Sequence, residues 1–233
     1  MKSDSIYTDG TYLQTNPGWH AEDASWKAGQ ILRMLNKNLV KPTTIGEFGC
    51  GTGLILHELA KNLGPDVTFS GFEISPVALE LCRKHETSNV RFFSQQTAED
   101  PAVLFDVLLL IDVIEHVEDL YSMLRRVRGK AALKIFHIPL DLSAQSVLRE
   151  APLCKWRREV GHLHFFTKEL ALLTLQETGY HVIDHFYTKT NIELGNRGWR
   201  ADLMKIPRMM LYRLNKDFAA RFLGGFSLLV LAK

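Results

Sequence analysis

The chain has 233 residues, 46% hydrophobic and 23% charged, with a net charge of +2; that is apolar material for one sizeable core and points to one α/β domain. So weak an excess of base argues against a nucleic-acid substrate, no apolar run approaches the roughly 18 residues of a membrane-spanning helix, and the opening MKSDSIYTDGTY lacks the apolar stretch of a secretory signal. Three cysteines (Cys50, Cys82, Cys154) are an odd number without CxxC spacing, and read as reduced thiols of a cytoplasmic protein, not as a disulfide or metal framework.

Short β-rich runs alternate with amphipathic segments, the signature of parallel strands joined by crossover helices. Trp26 to Asn38 reads as a helix, with Ala28, Ile31, Leu32 and Leu35 on one stripe. Thr43 to Phe48 is strand one. Gly53 to Leu63 is a helix with Leu56, Leu59, Ala60 and Leu63 on one face. Strand two is Val67 to Glu73; Ser75 then caps a helix whose first position is Pro76. Val90 to Ser94 is strand three. Strand four, Phe105 to Asp112, holds an unbroken apolar run that suits burial on both faces. Leu120, Met123, Leu124 and Val127 mark the next helix, and Ala132 to Ile138 is strand five. Thr167 to Thr178 is a helix stopped by Gly179, Tyr180 to Thr188 is strand six, and Phe226 to Ala232 is strand seven. The segment between the last two strands has no strand pattern. It carries an apolar stripe of Leu203, Ile206, Met210 and Leu214, a Pro207 that starts or kinks a helix, and Arg208, Arg213, Lys216 and Arg221 nearby.

Ligands of open α/β sheets bind beyond the carboxyl ends of the strands, where strand order reverses. The first strand–helix turn is Glu47-Phe48-Gly49-Cys50-Gly51-Thr52-Gly53, whose alternate glycines let the backbone turn tightly and come close to a ligand. The helix start behind it favours a carboxylate or phosphate. Leu54 stands where a dinucleotide fingerprint has its third glycine, and the G-K-S/T of a P-loop is absent. Glu47 beside the glycines suits a ligand with an ammonium group as well, which is an amino acid. Glu73, ending strand two, can accept both hydrogen bonds of a ribose diol, and Ile74 can pack on a flat base. Ribose, base and amino acid together describe S-adenosylmethionine.

The stretches IGEFGCGTG, FEIS, LIDVIEHVED and GHLHFFTKELALLTLQETGY resemble the class I S-adenosylmethionine-dependent methyltransferases, in particular their small-molecule branch, from about Trp19 to Thr188. The resemblance implies a doubly wound, mostly parallel seven-stranded sheet with helices on both faces, the last strand antiparallel, and a helical insertion between strands six and seven. It implies one methyltransferase domain: 1–40 as a helical cover, 41–188 as the cofactor-binding core, 189–225 as the insertion and 226–233 as the last strand. It implies that Glu47 and the backbone of Gly49, Cys50, Gly51 and Gly53 hold the methionine part, that Glu73 binds the ribose, that Ile74 lies on adenine, and that Ile111 and Asp112 close over the methionine end. Relatives carry an acid after strand three for the adenine amino group; here Gln96 or Thr97 stands in its place. S-adenosylhomocysteine is then the product.

His116, just past strand four, is the candidate general base, with a structural role as the alternative. His162 and His164 flank Leu163 and, on an extended segment, share a face. With His137, Trp19 and His20 they are candidates for the acceptor pocket; a hydrogen-bonded structural role for the histidines and packing for Trp19 and His20 are the alternatives, and two histidines on one face could bind metal, but no third ligand is apparent. Segment 198–222 is read as a cap over the acceptor, as a helix packed elsewhere with a solvated basic face, or as a peripheral membrane contact. The expected partner is a small-molecule acceptor. The rival readings are a non-catalytic S-adenosylmethionine-binding regulator and an NAD-dependent oxidoreductase. The acceptor's identity and the oligomeric state are not legible in the sequence.

Overall fold

A computed structural model describes residues 18, 21–100, 102–194 and 203–233. Seven strands form one sheet in the order β3-β2-β1-β4-β5-β7-β6. They are β1 (Thr44–Phe48), β2 (Thr68–Glu73), β3 (Val90–Ser94), β4 (Phe105–Ile111), β5 (Ala131–Pro139), β6 (Val182–Thr188) and β7 (Ser227–Ala232). The first five pair in parallel, and β7 runs antiparallel between β5 and β6. Every strand expected from the sequence is present within a residue or two. Tyr180, expected in strand six, precedes it; its buried hydroxyl donates to the Leu124 carbonyl oxygen at 2.7 Å.

The two faces of the sheet bury alternate residues, as the period of a strand requires. Val107, Leu109 and Ile111 of β4 join α1 (Ala24–Lys37) and α2 (Leu54–Leu63) in one core. Leu108 and Leu110 join α4 (Leu120–Val127) and α7 (Lys168–Glu177) in the other. Between α2 and α4 in the chain lies α3 (Pro76–Arg83), where Ser75 accepts the Ala78 N–H as its cap. The four apolar positions read for α4 are all buried.

Two long excursions leave the sheet at one edge. After β5 come α5 (Ala144–Arg149), α6 (Ala151–Lys155) and a wide π-type turn, Trp156–Val160, closed by Gly161. After β6 come α8 (Thr190–Glu193), α9 (Lys205–Leu214) and α10 (Lys216–Leu223). Pro207 lies in the first turn of α9, where its missing N–H costs no helix bond.

The apolar stripe read for this helix does not face inward. Leu203, Ile206, Met210 and Leu214 are exposed, and Arg208 is buried in their stead. The cause is local: Tyr212 stacks on Phe226 with ring centroids 5.2 Å apart, and the Arg208 Nε–H donates to the Gly224 carbonyl oxygen at 3.1 Å. These contacts turn α9 by roughly 150°, so that nearly the opposite face from its apolar stripe lies inward.

Candidate functional site

Strand order reverses between β1 and β4, and a cavity of about 1530 Å³ opens beyond the carboxyl ends of β1, β2, β4 and β5. Its floor is the glycine turn. The Gly49 N–H donates to the Phe72 carbonyl oxygen at 2.8 Å, so the turn is tied to β2. Two glycines there are required for different reasons. Gly53, at φ +75°, would drive a Cβ to within 2.4 Å of the Phe92 ring. Gly51, at φ +56°, has open space where a Cβ would stand, so its backbone is free to lie against a ligand.

Glu73 is buried and braces that turn: one oxygen accepts the Gly51 N–H at 2.8 Å, the other the Ser75 N–H at 2.8 Å. Burial raises its carboxyl above the usual range, against the pull of these backbone donors. Glu47 lies at the end of β1, 1% exposed, with Oε2 lacking any hydrogen-bond partner. Desolvation pushes its carboxyl well above the ordinary value, and the nearby Lys27 charge only partly opposes this. Ile74, Ile111 and Asp112 border the cavity with Gly49, Cys50 and Gly51. Cys50 is buried, its sulfur 3.9 Å from that of Cys82, both as free thiols.

After β3 a 3₁₀ turn, Gln95–Glu99, meets the cavity. Residues three apart share a face of such a turn, and it is Gln95 and Ala98 that border the space. The expected pair, Gln96 and Thr97, is exposed and outside the wall.

Above the floor, Asp112 joins two elements. Its carboxylate takes the Lys27 ammonium at 2.8 Å and His137 Nδ1 at 2.5 Å, while His137 Nε2 meets Thr188 Oγ1 at 2.9 Å. Burial alone would raise the Asp112 carboxyl, but His137 and Lys27 hold it well below the usual range. Asp112 adopts φ +53°, a conformation that Asp tolerates better than most residues. Trp26 stands edge-on to the His137 ring at 6.1 Å and donates to Glu193 at 2.9 Å.

His116 and His162 face each other, ring centroids 4.9 Å apart, beside the fully buried Glu115. His162 Nδ1 lies 2.6 Å from Asp141. His164 does not join them. The Leu163 and His164 N–H groups both donate to the Glu115 carbonyl oxygen, so the chain wraps that atom instead of running extended, and His164 Nε2 turns to the Val117 carbonyl oxygen at 2.8 Å. One donor atom from each of Glu115, His116 and His162 falls within 4.8 Å of the others, a trio of metal-binding residue types that the sequence reading did not assemble. Both Glu115 carboxylate oxygens lack a hydrogen-bond partner. Trp19 and His20 lie outside the described residues.

Lys27, Glu115 and Arg208 border the cavity without having been singled out. Lys27 had a signal: it lies four residues before Ile31, within the apolar phase of its helix, where a cation needs a partner. Glu115 and Arg208 had none, because only the tertiary fold buries them.

Residues 47–134 match the family described as "Methyltransferase domain". Over that stretch the chain is similar to methyltransferase domains. Among curated proteins it is 36% identical over 92 residues to the ubiquinone biosynthesis O-methyltransferase of Azorhizobium caulinodans, covering 37% of this chain and 35% of that one. It is 29% identical over 140 residues to the protein of the same name from Haemophilus ducreyi, covering 53% of this chain and 57% of that one. The chain thus matches between a third and three fifths of the length of these relatives. In fold it resembles the plantazolicin methyltransferase solved with a monoazolic desmethylPZN analogue and S-adenosylhomocysteine (TM-score 0.62, 15% identity, 99% of this chain and 92% of that one). It also resembles the magnesium protoporphyrin IX methyltransferase of Synechocystis with the same bound product (TM-score 0.60, 14% identity, 89% and 82%). The strand order with its antiparallel last strand is the fold shared with these methyltransferase structures.

Proposed function

We propose that the protein is an S-adenosylmethionine-dependent methyltransferase that methylates an oxygen atom of a small molecule. The observation that carries this reading is the first turn. Gly51 leaves open space, Glu73 braces it from below, and Glu47 keeps a buried oxygen without a partner. That donor set fits the group: a carboxylate for an ammonium, a second for a ribose diol, and a backbone bare enough for close approach. S-adenosylmethionine supplies, when bound, a methyl group on an already activated sulfonium. The name shared by the curated relatives supports oxygen as the acceptor atom. Single-ligand pockets are about 300–1,000 Å³, so a cavity of about 1530 Å³ has room for cofactor and acceptor together.

The chain's part is then to place and to deprotonate. Holding the acceptor atom in line with the sulfonium removes most of the entropic barrier to displacement. His116, on the cavity wall, is the group we assign to take the hydroxyl proton. His137 has both ring nitrogens engaged, so its role is to hold Asp112 in position. In this reading Asp23, Ala24 and Lys27 on the cavity wall make the N-terminal helix a cover, and Arg208, Leu223, Gly224 and Gly225 make the described residues 203–225 a cap. A cytoplasmic location belongs to this reading and agrees with three free thiols.

Calorimetric titration with S-adenosylmethionine, S-adenosylhomocysteine and NAD tests the cofactor, and transfer of labelled methyl to 4-methylcatechol and related phenols tests the reaction. The first two ligands are expected to bind in the micromolar range and NAD not at all; binding without transfer to any acceptor favours a non-catalytic regulator.

Among the described residues no helix is long and apolar enough to cross a membrane. Peripheral contact is a separate part of the proposal, favoured by the exposed Ile206, Met210, Leu214, Phe218 and Phe222 with Arg213, Lys216 and Arg221 among them. Cosedimentation with phosphatidylglycerol vesicles, weakened by salt and by Ile206→Ser with Met210→Ser, is the expected result. Equal absence from anionic and neutral vesicles removes this part.

A further inference from the structure

The wall of the cavity contains an arginine that the cofactor has no use for. Arg208 is 7% exposed, and its Nη1 has no hydrogen-bond partner. Its Nε–H is fixed on the Gly224 carbonyl oxygen, while Nη1 stays uncommitted. Arg149, at the end of α5, borders the same cavity and is the charged group that acts on Arg208. Among the described residues neither arginine has a carboxylate within ion-pair distance. The other charges at this end are already committed: Asp141 to His162, and Lys155 to Glu159.

A buried guanidinium without a counter-charge is costly to keep. Fixing Nε on a backbone carbonyl sets the plane of the group, which is the pre-organisation that a fork-shaped contact to a carboxylate or phosphate needs. The two arginines come from the two different excursions, α5 after β5 and α9 after β6, and both border the cavity, near enough for the charge of one to act on the other.

We propose that Arg208, assisted by Arg149, is an acceptor subsite for an anionic group, a carboxylate or a phosphate, so that the molecule methylated is an acid. The inference deepens the methyltransferase reading and rests on it for the word acceptor; the anion site itself stands on the residues alone. In this arrangement Arg208 anchors the charged end of the acceptor on the cap side, while its reactive hydroxyl lies toward His116. A neutral analogue of the same shape leaves the guanidinium unpaired and is rejected.

The test is a titration of the whole protein, with and without S-adenosylhomocysteine, against benzoate, phenyl phosphate and benzyl alcohol. It is followed by calorimetry and by the Arg Nε–H resonances. At least one of the two anions is expected to saturate and to shift the Arg208 signal, with benzyl alcohol inert; the tighter of the two tells carboxylate from phosphate. Arg208→Gln is expected to weaken that anion at least tenfold and Arg208→Lys to restore part of the loss. Arg149→Gln, at an exposed position that the fold tolerates, is expected to weaken it about threefold and decides the matter if Arg208→Gln fails to fold. Affinity for S-adenosylhomocysteine should be unchanged in each variant. If neither anion saturates, or if the arginine variants bind as the wild type does, the subsite is overturned. If the anions bind as expected and S-adenosylhomocysteine does not bind the wild type, the methyltransferase reading fails while the anion site stands.

Discussion

Glu73→Ala is expected to weaken S-adenosylhomocysteine binding about 100-fold. Hydrogen bonds to a charged acceptor contribute about 1.5–3 kcal/mol each, and a ribose diol offers two, so about 3 kcal/mol is the conservative total, or roughly 100-fold. The carboxylate does a second job in the protein itself, because it accepts the Gly51 and Ser75 N–H groups. Alanine leaves both donors without a partner at a buried position and loosens the turn on which the methionine part would lie. Glu73→Gln keeps one acceptor oxygen and should lose only about tenfold, since roughly half of those hydrogen bonds survive. Calorimetry on both variants, with thermal melting to confirm the fold, separates the two jobs. An affinity within threefold of wild type for Glu73→Ala would take the ribose role away from this residue.

The largest effect on stability is expected at Asp112. Asparagine there keeps the shape and tolerates the left-handed backbone, so what is lost is the charge. Lys27, whose ammonium is only 12% exposed, then loses the carboxylate it pairs with at 2.8 Å. Breaking a buried pair from one side costs about 3–5 kcal/mol; because the Asp112 side chain is partly open to solvent, the low end applies, about 3 kcal/mol. At roughly 2–4 °C per kcal/mol for a chain of this size, the midpoint falls by about 6–12 °C.

The pH dependence has a definite sign. Asp112 is held well below its ordinary value, so its contribution is complete above about pH 4, the unfolded value, and is lost as pH falls through the lower folded one. Burial is the largest single influence on the Lys27 ammonium and lowers it, but the charge and hydrogen bond of Asp112 together with the charges of Asp23 and Glu115 outweigh it, and the net shift is upward. Its contribution is therefore complete below about pH 10 and is lost as pH rises through the folded value. The gap between wild type and Asp112→Asn should be flat across neutrality and close at both extremes. Adding Lys27→Met to the variant should restore part of the stability, because the stranded charge is then gone. A double variant no more stable than Asp112→Asn alone would show that the loss lies elsewhere.

What the sequence disclosed, and what it withheld, follows from the range of the forces involved. The strands of the core were legible because strand period and glycine chemistry act within a few residues. Leu108 and Leu110 pack on one face of the sheet and Val107 and Leu109 on the other, as an unbroken apolar run requires. Glu73 and Gly51 could be named because each ends or turns a strand at a fixed place in the topology. The partner of His164 is not legible in the sequence for a different reason: alternate residues share a face only on an extended path, whereas the segment folds around the Glu115 carbonyl oxygen nearly fifty residues earlier in the chain, and His164 takes the hydrogen-bonded structural role that is its alternative reading. The orientation of α9 was also hidden. Its apolar stripe argued for one face, but the stacking of Tyr212 on Phe226 and the bond from Arg208 to Gly224 chose another. A helix pattern reports the most apolar face, not which neighbour lies nearest.

The position of β7 has a consequence for how the molecule is made. β6 pairs with β7 alone, and β7 sits between it and β5. During synthesis β1 to β5 can zip together as they emerge, each beside a strand already in place. When β6 leaves the ribosome it has no edge to join, for the gap next to β5 is kept for residues still to be translated. The 38 residues 189–226 separate the end of β6 from the start of β7, and at about 5–20 residues per second that is an interval of roughly 2–8 s. Throughout it β5 presents a bare edge, and the nascent sheet is open to pairing with a neighbour's strand until the last element threads in and closes it.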